Sequence, residues 1–127
     1  MSLKFKPEQR IFIFSEYIDL RSGFDKLSHL VREKMKASVV DGDLFIFFGR
    51  NRKRLKAICY DGTGLILITK RMERGRFMSL EDLEENEITN EELDWLLRGS
   101  IVRRPKFGSM PLTKLPVGKY FITDGPT

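Results

Sequence analysis

Short apolar runs alternate with glycine-containing turns along the chain, and each run predicts a β-strand. Ile11–Phe14 is a four-residue β-prone run, which predicts a strand covered on both faces. Three further runs follow, at Leu44–Phe48, Leu55–Tyr60 and Leu65–Thr69. The turns between them, Gly49–Arg54 and Asp61–Gly64, contain the glycine and Asp-Gly residues that supply the positive φ angles of tight hairpins. The pattern therefore predicts an antiparallel three-strand meander.

Apolar residues spaced three and four positions apart predict a helix after the first strand. We expect it to begin near Ser22, because Ser22 and Asp25 have the spacing of a capping box. Its apolar stripe should face a core and consists of Phe24, Leu27, Leu30, Val31 and Met35. Capping patterns at Ser79–Asp82 and Thr89–Glu92 predict two further helices with acidic first turns, the second ending at Gly99.

These elements together predict an α+β fold. It should contain a small sheet that includes the meander, one N-terminal strand and helix, and acidic C-terminal helices. From the length of 127 residues we expect one domain, which we assign to residues 1–105. Residues 106–127 contain several Pro and Gly residues, and we expect a tail there, with Lys119–Thr123 as a candidate edge strand.

The composition is that of a globular protein, with 41% hydrophobic and 32% charged residues. No apolar run approaches the roughly 18 residues of a membrane span, and the first thirty residues lack a signal-peptide pattern. Cys59, the single cysteine, allows no internal disulfide and no cysteine-built metal cage. We therefore expect a soluble cytoplasmic protein that has no membrane partner.

Charge is strongly segregated along the sequence. The chain has a net charge of +5, but residues 50–76 hold nine Lys or Arg and two acids. Residues 77–97 hold eight acids and no Lys or Arg. Such a pattern indicates either oriented charged surfaces or an internal electrostatic contact between the basic and acidic segments. The acidic stretch could also contact a basic partner or a second copy of the chain, which leaves a homo-oligomer open.

The basic residues predict a surface that binds a polyanion, and we take DNA as the partner. Counting the strand reversals places the Gly49–Arg54 turn and the end of the fourth strand at the same edge of the sheet, so the two basic clusters should meet there. A solvated hairpin that discourages aggregation is the alternative. The predicted DNA-binding residues are Arg50, Arg52, Lys53, Arg54, Lys56, Lys70, Arg71, Arg74 and Arg76.

Catalytic chemistry is a weaker interpretation of this sequence. A metal-dependent nuclease would need clustered carboxylates, and the candidates are Asp19, Asp25, Asp43 and Asp61. Helix caps and turns recruit Asp routinely, so each of these residues has a structural explanation. His29 has no evident partner, and Cys59 is expected to be a buried thiol. The sequence therefore indicates no enzyme, no catalytic residue, no metal and no cofactor.

Three segments of this sequence resemble a known family. They are IDLRSGFDKLSHLV, LFIFFGRNRKRLKAICYDGTGLILITKRMERGRF and ITNEELDWLLRGSIVRR, and the match as a whole covers nearly all of residues 10–105. The resemblance is to the TnpB accessory protein of IS-66-type insertion sequences. An RNA-guided nuclease of the same name is far longer and has a cysteine-built zinc site. The residues of the family motifs, besides the basic ones, are Asp19, Arg21, Gly23, Phe24, Asp25, Asp61, Gly62 and Gly64.

The resemblance implies a protein encoded beside a separate DDE-type transposase, which it assists in transposition. It supplies no catalytic residue. We expect an accessory protein that binds DNA through its basic clusters. The alternative is a protein–protein adaptor that binds the transposase without touching DNA, using the acidic 77–97 segment, with Trp95 as a candidate anchor.

Overall fold

The architecture is a five-stranded mixed sheet with one α-helix on each face, in a computed structural model that describes residues 8–100. Strand order is β4-β3-β2-β1-β5; β1 is parallel to β2 and the other pairs are antiparallel. The elements are β1 (Ile11–Ile13), α1 (Phe24–Lys34), β2 (Leu44–Phe48), β3 (Arg54–Tyr60), β4 (Leu65–Arg71), β5 (Glu87–Ile88) and α2 (Asn90–Leu97). The predicted α+β class is confirmed.

The predicted tail over residues 106–127, with the candidate strand Lys119–Thr123, lies outside the described residues. Among residues 8–100, no helix combines the length and the apolar character that crossing a membrane requires.

The middle strand β2 separates two hydrophobic cores. Successive side chains of a strand point to opposite faces of the sheet. All five residues of β2 are buried because both of these faces are covered. On one face, Phe45 and Phe47 pack with Leu27 and Val31 of α1. The other face carries Leu44, Ile46 and Phe48, which pack with Leu93 and Leu96 of α2. A strand covered on both sides explains the uninterrupted apolar run in its sequence.

The start of α1 differs from the prediction. The helix begins at Phe24 with Gly23 as its N-cap, and no side chain caps it. The predicted capping box is wrong because the Ser22 hydroxyl donates instead to the Asp19 carbonyl, at 2.8 Å. The Asp19–Ser22 turn thus shifts the start of α1 from Ser22 to Phe24. Phe24 is 43% exposed instead of facing the core.

The segment between β4 and α2 also differs from the prediction. Ser79–Asp82 does not begin an α-helix; it leads into a single 3-10 turn at Leu80–Asp82, which no side chain caps. The chain is then held to β1, because the Ile13 amide donates to the Asn86 carbonyl at 2.8 Å and the Asn86 amide side chain donates to the Ile13 carbonyl at 2.7 Å. These bonds lead into β5, a strand that the sequence did not predict.

The capping box predicted at Thr89 is present in α2. The Thr89 hydroxyl accepts from the Glu92 amide at 3.1 Å, and the Glu92 carboxylate accepts from the Thr89 amide at 2.8 Å. At the other end, Gly99 has a φ of 87°, the left-handed conformation that commonly follows a helix. Both ends of α2 are therefore specified by residues next to it in the sequence.

We predict that Lys36→Gly stabilises the protein by about 1 kcal/mol, because a residue with a Cβ is strained in the left-handed region. Lys36 follows α1 with a φ of 55°. Urea unfolding measures the change. Lys36→Ala is the control, since it removes the ammonium group but keeps the Cβ. Equal stabilities of the two variants would contradict the strain at this position.

Candidate nucleic-acid interface

The two basic segments of the sequence meet at one end of the sheet. Arg54, at the start of β3, lies directly opposite Arg71, at the end of β4. Beyond the strands, the Met72 amide donates to the Lys53 carbonyl and the Phe77 amide donates to the Arg52 carbonyl, both at 2.7 Å. We call this surface the basic rim; it consists of the Arg50–Arg54 turn and the Lys70–Arg76 segment.

The Arg50–Arg54 turn has a backbone fixed by its own hydrogen bonds. The Arg52 amide donates to the Gly49 carbonyl at 3.0 Å, and the Asn51 side chain accepts from the Lys53 amide at 2.9 Å. Arg52 has a φ of 60°, which is uncommon for a residue other than glycine. The cations of the turn therefore extend from a defined loop.

Three of the nine predicted DNA-binding residues bind to other parts of the protein. The Arg71 guanidinium pairs with the Glu73 carboxylate at 3.1 Å. The Lys56 ammonium donates to the Ser22 carbonyl at 2.8 Å and the Lys70 ammonium to the Leu97 carbonyl at 2.6 Å. Within residues 8–100, the other six make no side-chain hydrogen bond or ion pair: Arg50, Arg52, Lys53, Arg54, Arg74 and Arg76.

The strand register divides the cations between the two faces of the sheet. Cross-strand partners point to the same face, so Arg54 and Arg71 share a face, and Lys56 and Thr69 share it with them. This is the face that α1 covers farther along the sheet, and we call these four residues the basic shelf. Lys70 pairs with Leu55 and points to the opposite face, toward the end of α2.

Lys70 therefore has a structural partner. Its ammonium group lies at the C-terminal end of α2, where helix carbonyls lack hydrogen-bond partners and carry partial negative charge. We predict that Lys70→Met lowers the free energy of unfolding by about 1 kcal/mol. DNA affinity should change less than in Lys53→Met, which removes an ammonium group from the Arg50–Arg54 turn. An effect of Lys70→Met on DNA affinity as large as that of Lys53→Met would contradict this assignment.

The first family-motif segment packs beside the Arg50–Arg54 turn. The Ile18 amide donates to the Phe48 carbonyl at 3.0 Å, and Leu20 lies against Gly49. Together the two segments line an open depression of about 500 Å³ that includes Arg21, Arg50 and Arg54. The sequence did not predict this contact, because its partners are about 30 positions apart in the chain.

Asp19 and Arg21 form an exposed, two-point ion pair within this depression. The Arg21 guanidinium donates to the two Asp19 carboxylate oxygens at 3.1 and 2.6 Å. Hydrogen bonds from the Arg21 side chain and amide hold the pKa of Asp19 well below its usual range. The same pair raises the pKa of Arg21. Asp19 is therefore a carboxylate at neutral pH and orients Arg21 beside Arg50.

The remaining family-motif residues lie in two places. Gly23, Phe24 and Asp25 form the exposed start of α1. Asp61, Gly62 and Gly64 form the β3–β4 turn, at the end of these strands away from the basic rim. There the Asp61 carboxylate accepts from the Thr63 and Gly64 amides, both at 2.9 Å, and these bonds lower the pKa of Asp61. Its role in the structure is to close the turn.

The four carboxylates weighed as a metal site have separate surroundings. Asp19 pairs with Arg21, and Asp61 closes its own turn. Asp43 is buried, accepts from the Arg10 amide at 2.9 Å and lies 3.6 Å from the Arg10 guanidinium. Asp25 is exposed in the first turn of α1. Among residues 8–100, no three His, Cys, Asp or Glu residues are grouped as metal ligands.

Cys59 and His29 are the two other side chains with reactive potential. Cys59 is buried, and its burial raises the pKa of the thiol, which disfavours the thiolate that a nucleophile needs. His29 is exposed on α1, with its Nδ1 3.3 Å from the Arg32 guanidinium.

Two relatives from Sinorhizobium fredii (strain NBRC 101917 / NGR234) resemble this chain. The uncharacterized protein y4hO is 40% identical over 99 residues, which cover 76% of this chain and 85% of that protein. The uncharacterized protein y4jC is 38% identical over 69 residues, which cover 54% of this chain and 59% of that protein. No solved structure matches the chain.

A family model described as IS66 Orf2-like protein matches residues 9–107. This match confirms the resemblance inferred from the sequence motifs, and it indicates an accessory role in transposition. The chain belongs to the IS66 Orf2-like family.

Proposed function

We propose that this protein is a non-enzymatic accessory factor of transposition that binds duplex DNA through its basic rim and assists a separate transposase. The observation that carries the proposal is the junction of the two basic segments. Arg54 lies opposite Arg71, and backbone hydrogen bonds join Lys53 to Met72 and Arg52 to Phe77. Charges that are far apart in the sequence therefore form one surface.

The chemistry of the rim suits phosphate binding. Arginine presents a planar fork of donors to phosphate oxygens, and lysine presents a compact positive charge. Six rim cations make no side-chain hydrogen bond or ion pair within residues 8–100, so they need not break internal contacts to reach DNA. Contacts of this kind position a protein on the duplex without reading its sequence. The rim would thus supply affinity, and any sequence preference would require contacts to base edges.

A binding titration with the full chain tests the proposal. We would measure fluorescence anisotropy of two labelled duplexes of equal length at about 50 mM salt, where phosphate contacts are strong. One duplex carries the terminal repeat of the insertion sequence and the other a scrambled repeat. We expect both duplexes to bind, with the transposase absent. The proposal would be overturned if the chain bound neither duplex.

The adaptor role is a second candidate, supported by the exposed acids of residues 81–94. Glu81, Asp82, Glu84, Glu91 and Asp94 are exposed and extend over the 3-10 turn, the connection to β5, and α2. We would test retention of the transposase by the chain in a nuclease-treated lysate. Retention that is lost when Glu81, Asp82 and Glu84 are changed to their amides supports the adaptor role. No retention by the native chain would dismiss it.

A further inference from the structure

Phe24 is exposed although its position in α1 belongs to the buried stripe. It lies one helical turn before Leu27, which is fully buried against the sheet. Phe24 is nevertheless 43% exposed. An aromatic ring left partly in water is available for contact with a ligand. Its surroundings indicate what that contact is.

The sheet beneath the start of α1 is polar and basic. Farther along the helix, α1 covers Phe45, Phe47 and Ile58. At its beginning, the same face of β3 and β4 presents the basic shelf instead. The Lys56 ammonium donates to the carbonyl of Ser22, two residues before Phe24, and so fastens the helix start beside the shelf. Phe24 is thus an aromatic side chain at the border of a cationic surface.

The position of Arg21 adds a second cation to this border. Arg21 lies three residues before Phe24, and its side chain is 91% exposed. It lines the open depression together with Arg50 and Arg54. The ion pair with Asp19 fixes its orientation, and donors of its guanidinium group that do not contact Asp19 remain available to a ligand.

The other phenylalanines near the basic residues cannot take this role. Phe45, Phe47, Phe48 and Phe77 are each at most 1% exposed and belong to the cores. Within residues 8–100, Phe24 is the most exposed phenylalanine. A flat aromatic ring beside cations is the combination that binds single-stranded nucleic acid, because a base stacks on the ring while the neighbouring phosphates contact the cations.

We infer that Phe24 is a stacking site for an unpaired DNA base, with Arg21 and Arg54 binding the phosphates on either side of it. This inference rests on the proposed function and narrows the substrate from duplex DNA to DNA with a locally opened or single-stranded segment. The full rim would hold the adjoining duplex. The site would therefore recognise a junction between paired and unpaired DNA.

The test compares two DNA molecules that differ in one feature. Both have the same length; one is fully paired, and the other has a three-base bubble containing 2-aminopurine, whose fluorescence falls when an aromatic ring stacks on it. We expect the full native chain to bind the bubble more tightly and to quench its fluorescence. Phe24→Leu keeps an apolar side chain but removes the ring. It should weaken binding to the bubble by about 5- to 100-fold and leave binding to the paired duplex within about twofold.

Two further variants separate stacking from packing. Phe24→Trp keeps an aromatic ring and should retain the preference for the bubble. Val40→Ala truncates another exposed apolar residue, 60% exposed, in the 3-10 turn after α1, and should change neither affinity. Equal binding of both DNA molecules by the native chain, unaffected by Phe24→Leu, would overturn the inference and leave the proposed function standing. If the native chain binds neither DNA molecule, both the inference and the proposed function are overturned.

Discussion

Replacing Arg50, Lys53 and Arg54 by alanine is expected to weaken duplex binding by about 100- to 1,000-fold at 100 mM salt. The three residues belong to the basic rim and make no side-chain hydrogen bond or ion pair within the described chain. Each lost phosphate contact removes about 0.9 from the salt exponent of binding. The loss of three contacts therefore corresponds to a loss of affinity of about 100- to 1,000-fold at 100 mM salt. Anisotropy titration of a labelled duplex measures the change.

A variant with the same loss of charge is the control for this experiment. Arg32→Ala, Lys34→Ala and Lys36→Ala remove three exposed cations at the opposite end of α1 from the basic rim. We expect at most a few-fold loss of affinity, because distant surface charges are screened by salt. An equal loss in both triple variants would show that net charge, not the rim, governs binding. Arg52 is left unchanged because it has a φ of 60°, so a substitution there would also alter the conformational preference of the turn.

The largest effect on folding is expected from Phe47→Ala. Phe47 is fully buried in the central strand β2, and its ring centroid lies 5.4 Å from that of Phe14. Removing the ring leaves a cavity between the sheet and α1, which should lower the free energy of unfolding by about 3–5 kcal/mol. Urea or thermal unfolding measures the loss. Unfolding should also disrupt the basic rim, because β2 leads directly into the Arg50–Arg54 turn.

Phe12→Ala is the comparison for this prediction. Phe12 is half-buried and stacks on Phe45, with ring centroids 5.7 Å apart. Less of its surface leaves water on folding, so we expect less than half of the loss seen for Phe47→Ala. A smaller effect for Phe47→Ala than for Phe12→Ala would contradict the placement of β2 at the centre of the sheet.

The sequence predicted the strands best where burial is greatest. Leu44–Phe48 matches β2 residue for residue, because a strand covered on both faces needs an uninterrupted apolar run. β4 continues past the apolar run to Arg71, since the register places Arg71 opposite Arg54. β5 could not be predicted, because its two residues depend on contacts with β1 more than 70 positions away.

The helix starts show what local patterns can and cannot specify. Thr89 and Glu92 form their capping box because both partners lie within one helical turn. Ser22 has the same spacing to Asp25, but its hydroxyl is taken by the Asp19 carbonyl. The preceding turn therefore decided where α1 begins, and the exposure of Phe24 followed from that.

The charge pattern predicted which residues form the candidate site, but not which of its cations are bound to other parts of the protein. Charge counting identified all nine basic residues. It could not show that Lys56 and Lys70 donate to backbone carbonyls 34 and 27 positions away. Nor could it place Arg21 in the same depression as Arg50, because that arrangement depends on how the Ile18–Arg21 segment packs against β2. Tertiary contacts thus separate structural cations from those available to a ligand.

The salt dependence of duplex binding tests the central claim most directly. If the six available rim cations each neutralise one phosphate, the logarithm of the association constant should fall with the logarithm of salt concentration with a slope of about −5. The Arg50→Ala, Lys53→Ala, Arg54→Ala variant should have a slope of about −3 under the same conditions. A native slope near zero, or the same slope in both proteins, would contradict DNA binding through the rim.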